Sequence, residues 1–136
     1  MTQELLKSKL DNLARCIQRI ESKQPFSVEE LKSNFDLQDI IVLNLERAVQ
    51  ICVDLAAIIL SMSSFPAPPT MSASFQALQQ LGLIDSDLCV RLQKSVGFRN
   101  IAVHEYEKIN WEVVYQIIHR HLNDLRKFGA ILAQKV

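Results

Sequence analysis

This chain has few turn-forming residues and no net charge. Its 136 residues include three glycines and four prolines, whereas 49% are apolar. This composition argues against disorder and against a β architecture with many turns. Lysine plus arginine equals aspartate plus glutamate, so the net charge is zero. A protein without a global positive field is not a strong non-specific nucleic-acid binder, and any contact with RNA must use a local patch or a surface formed by paired subunits.

Metal-ligand spacings and common catalytic motifs are also absent. The cysteines, Cys16, Cys52 and Cys89, form no CxxC pattern and no cysteine–histidine spacing of the zinc type, so we expect no metal site. Each lies in an apolar helical pattern, which predicts small buried residues in a reducing cytosol. The chain has no P-loop, GxSxG or HExxH motif, which leaves nucleotide hydrolases and nucleophilic hydrolases without support.

No segment predicts export or insertion into a membrane. The N-terminal residues lack a basic stretch followed by an apolar one. The most apolar run, residues 49–65, is interrupted by Gln50 and Asp54 and therefore indicates a core helix. We expect a cytoplasmic protein without membrane contact, folded as a single domain over residues 1–136.

Apolar residues recur at helical spacing along most of the chain. The pattern predicts long helices over about 3–22, 36–62, 85–104 and 110–134, with short extra turns near 27–30 and 75–81. The predicted N-caps are Thr2, Ser27, Ser72 or Ser74, Asp85 and Asn110. The sequence therefore predicts an all-α, up-down bundle of four main helices plus short extra helices.

Two of these helices have more apolar surface than one core requires. The helix over 36–62 is apolar around well over half its circumference, whereas a single core needs an arc of little more than about 100°. The helix ending near residue 104 has a second apolar face, with Val90, Phe98 and Ile101. A second copy of the chain covering both faces is the simplest explanation, so we predict a homodimer.

Polar residues on the long second helix allow more than one interpretation. Asn44 lies in its apolar sector and must find hydrogen-bond partners, as a core amide or as support for a cleft. Asp39 and Glu46 lie in its polar sector, where they can bind a metal or transfer protons. Their neighbours Arg47 and Gln50 favour an ordinary solvated face.

The main candidate site is a cluster of Arg99, His104 and Tyr106 near a helix end. Arg99 shares an apolar stripe with Leu88, Leu92, Val96 and Val103. Because an unpaired buried guanidinium is costly, Arg99 either pairs internally or lines a cleft. Histidine changes its charge near neutral pH, so the cluster is suited to phosphate chemistry. The alternative is that both cations stabilise the C-terminal end of the helix dipole.

The last helix gives weaker indications of function than this cluster does. His119 lies on its polar side and is expected to be solvated, whereas His121 lies nearer the apolar edge and is expected to be partly buried and hydrogen-bonded. The end of this helix is locally positive and can bind phosphate, although such charge clusters are usually only solvated. Its charged residues are Arg120, Arg126, Lys127 and Lys135 against Asp124.

Residues 97–106, GFRNIAVHEY, match the RxxxxHxY signature of HEPN-domain proteins of the HepT type. Further parts of the chain resemble the same family: residues 44–49 and 53–56 of the long helix, the proline loop with residues 74–75, residues 81–84, and the helix opening at 109–111. The resemblance covers essentially the whole chain.

The resemblance implies a toxin of a type II toxin–antitoxin system, a homodimeric endoribonuclease that cleaves RNA without metal or cofactor where the motifs of two subunits meet. It implies catalytic roles for Arg99 and His104. Apart from the resemblance, Asn100 and Asn44 are candidates to support the cleft, with core packing as the alternative. The resemblance also implies that a minimal nucleotidyltransferase (MNT) antitoxin transfers AMP to Tyr106. The alternative is a non-catalytic helical partner of such a nucleotidyltransferase, which uses Arg99 to hold nucleotide.

Overall fold

The computed structural model describes residues 2–135, which contain helices and no strand. The α-helices are α1 (Thr2–Glu21), α2 (Val28–Ser33), α3 (Phe35–Met62), α4 (Met71–Gln80), α5 (Ser86–His104), α6 (Trp111–Gln116) and α7 (Leu122–Ala133). A 3₁₀ turn (Tyr106–Lys108) links α5 to α6, and a π-helical segment (Ile117–His121) joins α6 to α7 without a break. The predicted bundle of four long helical elements with short extra helices is confirmed.

Capping side chains begin α2, α5 and α6 at the predicted positions. Ser27 Oγ accepts from Glu30 N at 3.1 Å, and Asp85 and Asn110 cap α5 and α6. The prediction for α4 was wrong, because the helix begins directly after the proline loop and its N-cap is Thr70. Ser72 and Ser74, the predicted caps, lie inside that helix. Thr2 is likewise the first residue of α1 instead of its cap.

Helix α3 is the central element of the bundle. It packs against α1, α2, α4, α5 and α7 of the same chain, so these neighbours bury most of its wide apolar arc. Neighbours in the same chain therefore account for most of the arc, and the homodimer stays a prediction. Helical periodicity shows how much of a helix is covered but not which chain covers it. The large apolar side chains that remain exposed on α3 are Phe35, Leu43 and Met62.

The second apolar face of α5 is only partly covered within one chain, where Phe98 packs against the core. Val90 and Ile101 are 48% and 41% exposed. The predicted inner stripe is right at Leu88, Leu92 and Val96 but wrong at Val103, which is 44% exposed because the buried position in the last turn belongs to Ala102. A groove of about 480 Å³ lies beside this face, and its apolar lining includes Leu45, Val49, Phe98, Ile101, Val113 and Ile117.

The last long helix departs from the α pattern in its middle. Its π-helical segment widens the turn at residues 117–121, where Gln24 Nε2 donates to the Ile118 carbonyl at 2.9 Å. This bond links the connection after α1 to the last helix. Periodicity alone did not predict the interruption, because a single wide turn shifts the apolar stripe by less than one position.

The interior contains no disulfide among the described residues, and all three cysteines are buried and free, as predicted. Burial raises the pKa of each thiol, because the thiolate loses its hydration. None of the described helices combines the length and the apolar composition that a membrane crossing requires.

Phe128 is the aromatic anchor between α7 and α4. It is fully buried, and its ring meets that of Phe75 edge to face, with centroids 5.6 Å apart. We expect Phe128→Ala to lower the free energy of unfolding by about 3–5 kcal/mol, because it removes buried surface and leaves a cavity. Urea denaturation followed by circular dichroism measures this. Phe26, 91% exposed, supplies the control: Phe26→Ala should change the stability by less than about 0.5 kcal/mol.

Candidate active site

The last turns of α5 present Arg99 without a carboxylate partner among residues 2–135. The side chain is half-buried, and its Nη1 donates to Asn100 Oδ1 at 3.2 Å. Within residues 2–135, no aspartate or glutamate lies within ion-pair distance of this guanidinium. Arg99 is thus not held in an internal ion pair, and most of its donors are available to a ligand. Asn100 is the one predicted supporting residue that contacts it.

His104 is the last residue of α5, and its imidazole is exposed to solvent. The helix ends directly after it, where Glu105 N donates to the Ile101 carbonyl at 2.8 Å. On an ideal helix, Arg99 and His104 are separated by about 7.5 Å along the axis. One chain therefore offers a guanidinium and an accessible imidazole at the same helix end.

Tyr106 lies in the 3₁₀ turn that follows, and two contacts orient it. Its hydroxyl donates to Asp39 Oδ1 at 3.0 Å, and its ring meets the Trp111 indole edge to face, with centroids 6.1 Å apart. The side chain is nevertheless 39% exposed. Burial, the hydrogen bond to Asp39 and the negative charges of Asp39 and Glu46 raise the pKa of Tyr106 to about 12.

Sequence analysis missed the contacts that Asp39 and Trp111 make with Tyr106. It named Asp39 as a residue that can bind a metal or transfer protons but favoured a solvated face. The carboxylate is indeed exposed, but it is also the acceptor for the tyrosine hydroxyl. The two residues are 67 positions apart. No local pattern identifies such a pair, because it depends on how α3 packs beside the turn after α5.

Asn44 makes its bond within its own helix. The side chain is buried, and its Nδ2 donates to the Ile40 carbonyl at 2.8 Å. This partner fits the core-amide alternative, and the structure shows no hydrogen bond between Asn44 and the motif residues. A role for Asn44 in the cleft stays a prediction.

The two histidines of the last helix have neighbours other than the motif residues of α5. His119 is exposed, as predicted, and stacks on Tyr115 with ring centroids 4.0 Å apart. The predicted partial burial of His121 was wrong, because its side chain is 51% exposed at the groove, with Nδ1 3.4 Å from Asp124 Oδ2. Part of the locally positive end is neutralised by ion pairs to Glu21 and Asp85.

The helical bundle and the Arg–His–Tyr motif at the end of α5 define a domain of the HEPN class. The sequence model of the family "Ribonuclease HepT-like" matches residues 13–130. The chain is 35% identical over 125 residues to the mRNA nuclease HepT of Shewanella oneidensis, covering 92% of this chain and 93% of that protein. It belongs to the ribonuclease HepT-like family.

Solved structures of toxin–antitoxin complexes have the same fold. One is a tri-AMPylated HEPN toxin of Shewanella oneidensis in complex with an MNT antitoxin: its TM-score is 0.89 and its sequence identity 34%, over 95% of this chain and 96% of that one. Another is a toxin–antitoxin complex with AMP-PNP, with a TM-score of 0.87 and 34% identity over 93% and 96% of the respective chains.

Proposed function

We propose that this chain is the toxin of a type II toxin–antitoxin pair, an endoribonuclease that cleaves RNA without metal, and that an MNT antitoxin neutralises it by transferring AMP to Tyr106. The observation that carries the proposal is the end of α5, where an Arg99 without a carboxylate partner and an exposed His104 occur in a chain similar to an mRNA nuclease over nearly its whole length.

The two side chains suit the cleavage of a phosphodiester. The ribose 2′-oxygen attacks the adjacent phosphorus while the 5′-oxygen leaves, so one proton must be removed and another supplied. His104 can perform either transfer, because a neutral imidazole accepts a proton and an imidazolium donates one. Arg99 can hold two phosphate oxygens and stabilise the negative charge that develops on them.

A homodimer supplies the second proton-transfer group. One chain has a single histidine in the motif, whereas cleavage needs both a base and an acid. The exposed apolar residues of α5, Val90, Ile101 and Val103, lie on the helix that carries the motif, and Val103 directly precedes His104. Pairing of two chains through this helix would cover these side chains and bring two motifs into one cleft.

Modification of Tyr106 would inactivate such a cleft. The hydroxyl lies two residues beyond His104 on a side chain that solvent reaches. An attached AMP adds bulk and negative charge beside Arg99, so it would exclude RNA by occupancy and by repulsion. We place this activity in the cytoplasm, where RNA and ATP are available, and treat residues 1–136 as one domain.

Incubation of the purified chain with end-labelled RNA in EDTA tests the proposal. Cleavage that depends on His104 is the expected result. The alternative, a non-catalytic partner of the nucleotidyltransferase, predicts no cleavage but binding of ATP or AMP that Arg99→Ala abolishes. Absence of cleavage together with such binding would therefore replace the nuclease proposal with the alternative.

Arg99→Ala is expected to lower the cleavage rate by about 10²–10³-fold, the effect of removing one preorganised donor to a developing anion. Arg99→Lys should recover only part of this loss, because an ammonium keeps the charge but not the bidentate geometry. Initial rates at saturating RNA measure both variants. Arg91→Ala is the matched control, since Arg91 lies on the same helix as Arg99 but already pairs with Asp124 of α7 at 2.9 Å.

A further inference from the structure

The hydrogen bond between Tyr106 and Asp39 has a consequence for the modification reaction itself. The donor is the phenolic oxygen that would attack ATP, and the acceptor is a carboxylate of the same chain, 3.0 Å away. Asp39 stands on α3, which the rest of the bundle holds on several sides. The proton acceptor is therefore in place before any partner binds.

We propose that Asp39 is a catalytic residue of AMP transfer, the base that takes the proton from Tyr106 as its hydroxyl oxygen attacks the α-phosphorus of ATP. This rests on the proposed AMPylation of Tyr106. In that reaction the toxin contributes more than an acceptor hydroxyl, because it also contributes the group that activates the hydroxyl.

The step balances without a further reactant. A bond forms between Tyr106 Oη and the α-phosphorus, and the bond from that phosphorus to the bridging oxygen breaks. Pyrophosphate leaves with the electron pair, the phenolic proton passes to Asp39 Oδ1, and the carboxyl then releases it to water. The product is AMP joined to the tyrosine through a phosphodiester.

A base is needed because the free hydroxyl does not ionise by itself at neutral pH. With a pKa of about 12, roughly one Tyr106 in 10⁵ is a phenolate at pH 7. The same carboxylate that raises this pKa becomes useful during the attack, because bond formation to phosphorus makes the phenolic proton strongly acidic. Proton transfer to Asp39 then becomes favourable late in the step.

The geometry leaves the attacking oxygen reachable. Trp111 and Asp39 fix the ring and the hydroxyl, yet the tyrosine side chain is 39% exposed and Asp39 is itself exposed. The carboxylates whose negative charge reaches Tyr106 include Asp39 and Glu46, both from α3. Only Asp39 is hydrogen-bonded to the hydroxyl, so Glu46 serves as a control of equal charge.

The role of Asp39 as the base is tested by single-turnover transfer of AMP from radiolabelled ATP to the full toxin by its MNT antitoxin. Asp39→Asn should lower the rate at pH 7 by roughly 10²-fold, the lower end for a positioned base, because asparagine keeps an acceptor oxygen but hardly any basicity. Glu46→Gln should stay within about threefold of the wild type, since it changes only a nearby charge. Circular dichroism and RNA cleavage by each variant verify that the fold is intact.

The pH dependence separates proton transfer from simple positioning. Without the base the phenolate must form beforehand, so the ratio of wild-type to Asp39→Asn rates should fall about tenfold per pH unit above pH 7. Ionisation of groups on the nucleotidyltransferase affects both rates equally, so its effect cancels in this ratio. A ratio that is constant with pH would show that Asp39 only orients the hydroxyl, and equal rates at pH 7 would also overturn the proposal.

Failure of this inference is distinguishable from failure of the proposed function. If the wild type takes no label, or if Tyr106→Phe takes as much as the wild type, AMPylation of Tyr106 is wrong and the role of Asp39 is lost with it. If the label depends on Tyr106 but not on Asp39, the proposed function stands and only the base is excluded.

Discussion

His104→Ala is expected to lower RNA cleavage by about 10²–10⁴-fold, the usual contribution of a positioned acid or base. The imidazole is exposed at the end of α5, so its removal costs no core packing and the fold should persist. In a dimer the variant loses both histidines of the shared cleft at once, which favours the upper part of this range. Initial cleavage rates in EDTA, measured beside the wild type, give the value.

His119 provides the matched control for this variant. It is also an exposed histidine, but it stacks on Tyr115 in the last helix and makes no contact with the motif. His119→Ala should therefore cleave RNA at the wild-type rate within about threefold. Undiminished cleavage by both His104→Ala and Arg99→Ala would refute the assignment of the active site to the end of α5.

The helices were predictable because their signals are local. The apolar spacing along residues 2–21 and the caps Ser27, Asp85 and Asn110 each act within one or two turns, and the corresponding helices formed where expected. Thr70 was missed at α4 because several hydroxyl residues follow the prolines and local chemistry does not choose among them.

The errors and omissions share a different cause, since each depends on packing between distant segments. The excess apolar arc of α3 was assigned to a second chain, whereas α1 and other elements of the same chain bury most of the arc. The bond between Asp39 and Tyr106 joins α3 to a turn near the other end of the chain. Residue type alone identified Arg99, His104 and Tyr106, but only coordinates reveal what each of them contacts.

The site also combines two chemistries within a short stretch. In the proposed mechanism, Arg99 and His104 serve RNA cleavage, whereas Tyr106 and Asp39 serve nucleotide transfer. Arg99, His104 and Tyr106 are close along the chain because the 3₁₀ turn follows α5 directly, whereas Asp39 reaches Tyr106 from α3. A group attached to the tyrosine would therefore remain beside Arg99 and His104, and in the proposed mechanism this is how one small modification would control the whole cleft.

Tyr106→Phe is expected to abolish AMP transfer to this chain while RNA cleavage continues. Phenylalanine keeps the ring against Trp111 but removes the attacking oxygen, so no bond to phosphorus can form. Loss of the hydrogen bond to Asp39 should cost at most about 1.5 kcal/mol, because both partners are accessible to water. The folded variant should therefore escape its antitoxin. Cells that co-express the two proteins should stop growing, and intact-protein mass spectra should show no added AMP.

The chain contains only two tyrosines, which makes the control decisive. Tyr115→Phe removes the other hydroxyl, whose one hydrogen bond in the described structure is a 3.5 Å contact with the Phe26 carbonyl, and should be modified like the wild type. If AMP still appears on Tyr106→Phe, the acceptor is another side chain. If the variant takes no AMP but the antitoxin still restores growth, neutralisation works by binding alone, and the hydroxyl held by Asp39 has no part in it.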